Sequence, residues 1–379
     1  MRNMKRINVT VLVSSLTIGG TEQLLRELLR NIHRERFRVH VCFLRSPGLM
    51  GAEILRLNFP VTTNVLKHRF DFSGILKLAR LFKAEHTDVL FLINQRNTIF
   101  YGVLAAKLAG VRAIVNRENE MFRRYSFHGL TMLGRRILHL WIDKVVAIAD
   151  GHRDYIASVE KVPLSKIEVI YNGVDPLRFC SSLASEEAKA RLGIPANSPV
   201  VSIIAVLRPD KAHEVFLKAA QEVLKSIPET HFLIVGDGPE RDRLTRLTHD
   251  LGIDGCVHFL GFRRELGDVL AAVNINALSS KPELETFSVA AIEAMSAGVP
   301  IVCTDVGCMK EIVFPGKTGY LVQVGDFQGL AARLIELIQN PAARRSMGKA
   351  AQVLVHEKLT VQKMASCYED LFEEVCETK

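Results

Sequence analysis

Short runs of β-branched and apolar residues alternate with amphipathic helical stretches from one end of this chain to the other, and the series runs twice. Such alternation is the pattern of parallel sheets wound with helices on both faces. In the first half the spacing predicts strands over Ile7–Ser14, Arg38–Leu44, Val89–Asn94, Ala113–Asn116, Lys144–Ile148 and Glu168–Tyr171. Helices are expected near Thr21–His33, Gly74–Glu85, Ile99–Leu108 and Gly129–Ile142. The second half predicts strands over Val200–Val206, His231–Val235, Val257–Leu260, Ile275–Ala277 and Ile301–Thr304, with helices beginning near Ala212, Glu240, Arg264, Val289, Gly329 and Ala342. Between the two series, Tyr171–Pro199 carries the turn formers Asn172-Gly173 and Asp175-Pro176 and a charged, Ser-rich stretch, which makes it the natural break. The 379 residues suffice for two domains. We expect an N-terminal domain over 1–175, a C-terminal domain over 176–360, and a last helix at about 361–379 that follows the final strand and can pack on either half. The fold class is α/β, with two doubly wound Rossmann-like domains. Open parallel sheets bind ligands beyond the carboxyl ends of their strands, so two such domains facing across a cleft would place a site there.

Charge and composition narrow the function classes. With 48% hydrophobic and 24% charged residues the chain is ordinary globular material, and no window of about 18 uninterrupted apolar residues suggests a transmembrane helix. Met1–Arg6 followed by the apolar Ile7–Ile18 has the outline of a signal peptide, but Asn8, Thr10, Ser14 and Ser15 interrupt it, and we read it as the first strand. Seven cysteines without a Cys-x-x-Cys pair read as reduced thiols of a cytoplasmic protein. The net charge of +8 is uneven: residues 1–175 hold 27 Lys and Arg against 15 Asp and Glu, a net of +12, and the remainder is net −4. Arg112, Arg117, Arg123, Arg124, Arg135 and Arg136 stand beside Met121, Phe122, Tyr125, Phe127 and Trp141. Basic residues mixed with aromatics suit anionic lipid headgroups or a phosphorylated acceptor, although a solvated face has the same composition. No nucleic-acid-binding signature accompanies the charge.

Several groups can carry chemistry. Gly19-Gly20 sits where the first strand meets the first helix, and Gly236-Asp237-Gly238-Pro239-Glu240 follows His231–Val235, with Pro239 suited to the first helical position. Glycines and a helix N-terminus favour an approaching phosphate, though each group taken alone reads first as a tight turn. Arg208 and Lys211 follow the strand Val200–Val206, and paired cations suit a leaving diphosphate, although a solvated pair at a strand end has the same residues. Glu285 lies in the loop Leu278–Ser288, and Glu293 lies inside the helix that follows, between apolar neighbours where a carboxylate needs hydrogen-bonding partners. No two aspartates stand two apart, so no Asp-x-Asp metal site is expected.

Taken together these motifs resemble the retaining, GT-B-fold glycosyltransferases of family 4. The resemblance rests on Gly19-Gly20, Val169-Ile170-Tyr171-Asn172-Gly173-Val174-Asp175, Arg208-Pro209-Asp210-Lys211, Gly236-Asp237-Gly238-Pro239, Phe259-Leu260-Gly261, and above all on Glu285 and Glu293 with the Ala297-Gly298-Val299-Pro300 tail. It implies transfer of a sugar from a nucleotide-sugar, a UDP-sugar first, to a hydroxyl of a glycan or lipid-linked acceptor in surface polysaccharide or lipopolysaccharide assembly. Glu285 would contact donor sugar hydroxyls, Glu293 the ribose, and the amides of Thr286, Phe287, Ser288 and Val289 the phosphates. Lys211 and Arg208 would stabilise the leaving diphosphate, with Gly19, Gly20, Gly236 and Gly238 lining the donor. The last helix would cross back to the first domain. No cofactor and no metal are expected; peripheral contact with an anionic membrane on its inner face, through the N-terminal domain, fits the charge. Two departures stand out: the arginine of the usual Arg-Leu-x-x-x-Lys is Val206 here, and the histidine often found at a strand end of the first domain is absent from Val115–Glu120. A nucleotide-sugar 2-epimerase and a glycogen- or sucrose-type synthase share these motifs, and a non-catalytic nucleotide-binding protein is a third alternative.

Overall fold

The computed structural model describes residues 6–16, 20–68, 70–93, 96–119, 121, 129–282 and 285–378. The chain divides into two compact units, one of 1–172 with 361–379 and one of 173–360.

The first unit runs β1 (Ile7–Val13), α1 (Gly20–Asn31), β2 (Phe37–Phe43), α2 (Gly48–Leu55), β3 (Val61–Thr62), α3 (Ser73–Ala84), β4 (Val89–Ile93), α4 (Arg96–Ala109), β5 (Ala113–Arg117), α5 (Gly129–Leu140), β6 (Lys144–Ala147), α6 (Asp150–Tyr155) and β7 (Ile167–Val169). Among the described residues its strands form one parallel sheet in the order β3-β2-β1-β4-β5-β6-β7. Every residue of β4 and β5 is buried, as expected where helices cover both faces and the in–out alternation is suppressed. The apolar run after the basic N-terminus is β1, a central strand whose Val9, Val11, Leu12 and Val13 are buried.

The second unit repeats the plan: α7 (Ser185–Arg191), β8 (Val200–Ile204), α8 (His213–Ser226), β9 (His231–Val235), α9 (Arg241–Asp250), β10 (Val257–Gly261), α10 (Gly267–Ala272), β11 (Ile275–Leu278), α11 (Val289–Ser296), β12 (Ile301–Thr304), β13 (Gly319–Val322), α12 (Phe327–Gln339) and α13 (Pro341–Lys358). Its parallel sheet has the order β10-β9-β8-β11-β12-β13.

The chain then returns to the first unit as α14 (Val361–Glu377). Val361, Met364, Ala365, Tyr368, Leu371, Phe372 and Val375 form its buried stripe at helical spacing. Phe91 of β4 receives the rings of Tyr368 and Phe372 at centroid distances of 5.2 and 5.3 Å. Charge reinforces the docking. The buried Glu369 carboxylate accepts from His33 N at 2.7 Å and Arg36 Nη1 at 3.0 Å, while Glu373 pairs with Arg36 and Glu374 with Lys144.

Five elements lie outside the sequence expectation: the helices α2, α6 and α7 and the strands β3 and β13. The two residues of β3 are too few for any periodicity. The edge strand β13 follows directly on the turn-like Gly316-Lys317-Thr318. The break at Tyr171–Pro199 contains α7, whose polar sequence gives a weak apolar pattern. The residues of the basic, aromatic stretch also part company: Arg117 is buried and Arg135 largely so, each in a polar network, whereas Arg112, Arg136 and Trp141 are exposed. Phe122, Arg123, Arg124, Tyr125 and Phe127 lie outside the described residues.

Candidate active site

In the second unit β8 leads outward to β9 and β10, while β11, β12 and β13 extend the other way. The strand order therefore reverses between β8 and β11. Loops leaving the carboxyl ends of these two neighbours diverge, which is where a doubly wound sheet opens a crevice for ligands. The loop after β8 carries Arg208 and Lys211, and the loop after β11 carries Glu285.

Lys211 Nζ lies 2.5 Å from Glu285 Oε2, and Ser280 Oγ donates to the same oxygen at 2.9 Å. The two loops are stitched together beneath this pair. Ser279 Oγ donates to the carbonyls of Lys211 and Ala212 at 2.9 and 3.0 Å, and Lys281 N donates to Asp210 O at 2.8 Å. Both charged side chains are mostly shielded from solvent. An ammonium with three donors and a carboxylate with two oxygens have hydrogen-bonding capacity beyond one pair and one hydroxyl, and a ligand can use it. Beside them His213 opens α8; it is buried, neither ring nitrogen has a partner among the described residues, and burial pushes the imidazole down to about 4, so it is neutral near pH 7.

Glu285 leads into the start of α11. Thr286, Phe287 and Ser288 are buried, and Ser288 caps the helix by accepting from Ala291 N at 3.4 Å. The amides of the first helical turn have no intrahelical acceptor, so this end favours an anion. Within the helix Glu293 is only 7% exposed, among fully buried Ile292, Ala294 and Met295. A support that sequence reading did not single out is Gly307 in the loop after β12. Its φ is +55°, and a Cβ there would lie 2.3 Å from Glu285 O and 2.4 Å from Thr286 O. Cys308 N donates to Thr286 O at 2.7 Å, so the backbone bearing Glu285 rests directly on this glycine turn. Only the lone Gly in Asp305–Cys308 hinted at it.

The remaining residues divide. Gly236 and Gly238 lie on the same rim, and a Cβ at either would fall 2.0 Å from Ala205 O or 2.5 Å from Leu207 O. Their visible work is to let the loops after β8 and β9 touch, with Leu207 N donating to Asp237 O at 3.0 Å. Pro239 does not start the helix, contrary to expectation; α9 begins at Arg241, because Gly238-Pro239-Glu240 is spent in that turn. Arg208 is not drawn into the Lys211–Glu285 pair. Its guanidinium is about half exposed and pairs with Asp210 at 3.1 Å.

In the first unit the order reverses between β1 and β4, and Gly20 opens α1 after β1; Gly19 lies outside the described residues. The end of β5, where no histidine stands, is filled by charge instead. Arg117 donates to Asn172 Oδ1 at 2.7 Å, and the buried Glu118 lies 2.6 Å from Arg135 Nη2, which also meets Glu160 at 3.0 Å. Glu118, His139 and Glu160 bring their ligand atoms within 4.8 Å of one another. The Arg135 guanidinium already bridges the two carboxylates and serves as their cation.

Two family models match the chain: "Glycosyltransferase Family 4" over residues 18–178 and "Glycosyl transferases group 1" over 184–353. A curated relative, the N-acetyl-alpha-D-glucosaminyl L-malate synthase of Bacillus anthracis, is 27% identical over 373 residues, covering 95% of each chain. The UDP-Gal:alpha-D-GlcNAc-diphosphoundecaprenol alpha-1,3-galactosyltransferase of Escherichia coli is 24% identical over 279 residues, 70% of each. Among solved structures, Anabaena HepE in complex with UDP superposes with a TM-score of 0.86 at 22% identity, covering 97% of this chain and 100% of that one.

Proposed function

Because the chain belongs to the group 1, family 4 glycosyltransferases and has their GT-B fold, it is an enzyme that transfers a sugar from a nucleotide-sugar, and we propose that the donor is a UDP-sugar and the acceptor a hydroxyl of a lipid-linked glycan. The observation that carries this reading is the Lys211–Glu285 pair at the β8/β11 switch point. The UDP held by the Anabaena structure and the lipid diphosphate named for the E. coli relative support the donor and acceptor classes.

In this reading the ammonium of Lys211 and the first amides of α11, through Thr286–Val289, take the donor diphosphate. Arg208 swings from Asp210 to join them. Glu285 accepts from the sugar hydroxyls and Glu293 from the ribose; Gly19, Gly20, Gly236 and Gly238 are proposed as backbone contacts to the same donor. The bond from the anomeric carbon to the diphosphate oxygen breaks as negative charge grows on the departing UDP, where fixed cations and amide dipoles act most strongly. The acceptor oxygen forms its bond on the same face, its proton passes to the departing phosphate, and the anomeric configuration is retained. With side-chain cations at the diphosphate, transfer needs no metal and survives EDTA. The reaction belongs to surface polysaccharide or lipopolysaccharide assembly, and the basic first half supports a place on the inner face of the cytoplasmic membrane.

A thermal-shift series tests the donor. UDP and its sugars are expected to raise the melting temperature, since a ligand of the folded state alone stabilises it, and GDP and ADP to raise it less. Lys211→Ala should lower the turnover of the donor that stabilises best by about 10²–10³-fold. Equal shifts with all three diphosphates, or full turnover in the variant, would remove the assignment. Release of an altered nucleotide sugar without acceptor would mark an epimerase.

A further inference from the structure

In the second unit His231 opens β9 and His258 is the second residue of β10. The two strands run parallel, with Val257 opposite Phe232 and His258 opposite Leu233, so both histidines stand at the amino ends of their strands. Strand β10 is the edge of that sheet among the described residues. His231 Nδ1 lies 2.9 Å from His258 Nε2, with the ring centroids 5.1 Å apart and the ring planes at 32°. Both residues are half-buried. Burial lowers the proton affinity of each imidazole, and His258 lowers that of His231 further. Among the described residues, no carboxylate and no Lys or Arg side chain enters that balance.

Two neutral imidazoles that meet in this way share one proton, one ring donating its N–H to the lone pair of the other. If that proton moves to the far nitrogen of its own ring, two lone pairs face each other, an arrangement that a cation stabilises. Two nitrogens bound at about 2.0–2.1 Å to one ion themselves stand about 3 Å apart, so this pair is already at chelating separation. The sheet fixes both backbones, and only the rings have to turn. A metal must compete with protons for imidazole nitrogen, and burial has already weakened the proton's hold here. Nitrogen donors of this kind suit Zn²⁺, Ni²⁺ and Cu²⁺, whereas Mg²⁺ and Ca²⁺ take oxygen.

We propose that His231 and His258 form a two-imidazole chelate for a divalent late first-row transition ion, which cross-links the edge strand β10 to β9. Among the described residues no third imidazole, thiol or carboxylate converges with them, so water completes the coordination. The ion acts on stability: by binding the folded arrangement it holds an edge strand to its neighbour. It takes no part in sugar transfer. The pair sits at the amino ends of parallel strands, whereas Lys211 and Glu285 stand on loops that leave carboxyl ends. The site therefore stands whether or not the donor assignment does, and it leaves EDTA without effect on turnover.

The test is calorimetric melting of the untagged full chain in EDTA and then with Ni²⁺, Cu²⁺ or Zn²⁺, with Mg²⁺ as the control. At about tenfold excess over the dissociation constant, each transition ion is expected to raise the melting temperature by about 3 °C or more, and Mg²⁺ to leave it unchanged. His258→Gln should abolish the rise and weaken Ni²⁺ binding about tenfold or more in a titration. Because the rise is read between metal and EDTA within one variant, a lower metal-free melting temperature does not obscure it. If His258→Gln fails to fold, His231→Gln replaces it. Cu²⁺ on the wild-type chain should show two nitrogen ligands by electron paramagnetic resonance, and one on the variant. Transition ions that leave the wild-type chain unmoved would reduce the pair to a hydrogen bond and overturn the proposal. So would equal binding by the variant, or binding lost on replacing the exposed thiols in Cys180→Ser, Cys367→Ser while both histidines remain.

Discussion

At Arg135 one guanidinium faces two buried carboxylates, and the three groups cannot all be charged without a net negative charge in the core. Burial, aided by Glu118, pushes the Glu160 carboxyl up to about 8 against the pull of Arg135. Burial alone would raise Glu118 as well, but Arg135, His139 and His152 outweigh it and hold that carboxyl below its ordinary range. The proton of the pair therefore sits on Glu160 at neutral pH. An unfolded glutamate releases its proton near 4.5, so from there to about 8 the folded chain binds a proton the unfolded chain lacks, and stability falls as pH rises. His139, pushed down to about 4 by burial, acts in the opposite sense, removing stability as pH drops from 6.5. Between pH 6.5 and 8 the imidazole contribution fades as the unfolded histidine loses its proton, and a substitution at Glu160 removes the glutamate contribution alone. Glu160→Gln is expected to shrink the fall in melting temperature across that interval by about 3 °C or more, read by calorimetry; an unchanged fall would place the proton elsewhere. A second residue-scale prediction concerns Gly307. An alanine there drives its Cβ into the carbonyls of Glu285 and Thr286, so Gly307→Ala should weaken UDP-sugar binding about tenfold or more in a calorimetric titration, through displaced backbone alone.

Among the elements, α14 closes the first unit by filling the face of β4 with rings. Phe372→Ala is expected to cost about 3–5 kcal/mol in urea unfolding of that unit while leaving the UDP-induced shift of the second unit in place. This helix was legible in the sequence because its buried stripe keeps a helical period through Val375. The central strands were legible for the same local reason, as continuous apolar runs. Helix α5 was not. Its apolar residues suggest an inward face, but Arg135 turns inward because Glu118 and Glu160, 17 and 25 residues away, wait there, and no local pattern carries that information. For β3, two residues gave periodicity nothing to act on.

Taken as a whole, the molecule concentrates its candidate chemistry on one sheet and its basic charge on the other unit. Lys211 and Glu285 could each be picked out because they follow strands, yet their pairing across 74 residues emerges only from the reversal of strand order between β8 and β11. The supporting contacts from Ser279, Lys281 and Gly307 involve backbone carbonyls, which sequence patterns do not display. The uneven charge along the chain was readable, but its pairing in space was not: the acids of α14 return to the first unit and meet Arg36 and Lys144 there. The return of α14 also sets an order of events during translation. Phe37 and Phe91 leave the ribosome long before Phe372 exists, and at about 5–20 residues per second the delay after Asn172 is of order ten seconds or more. The body synthesised second is thus complete first, and the nascent N-terminal sheet must be shielded from aggregation until the last helix arrives.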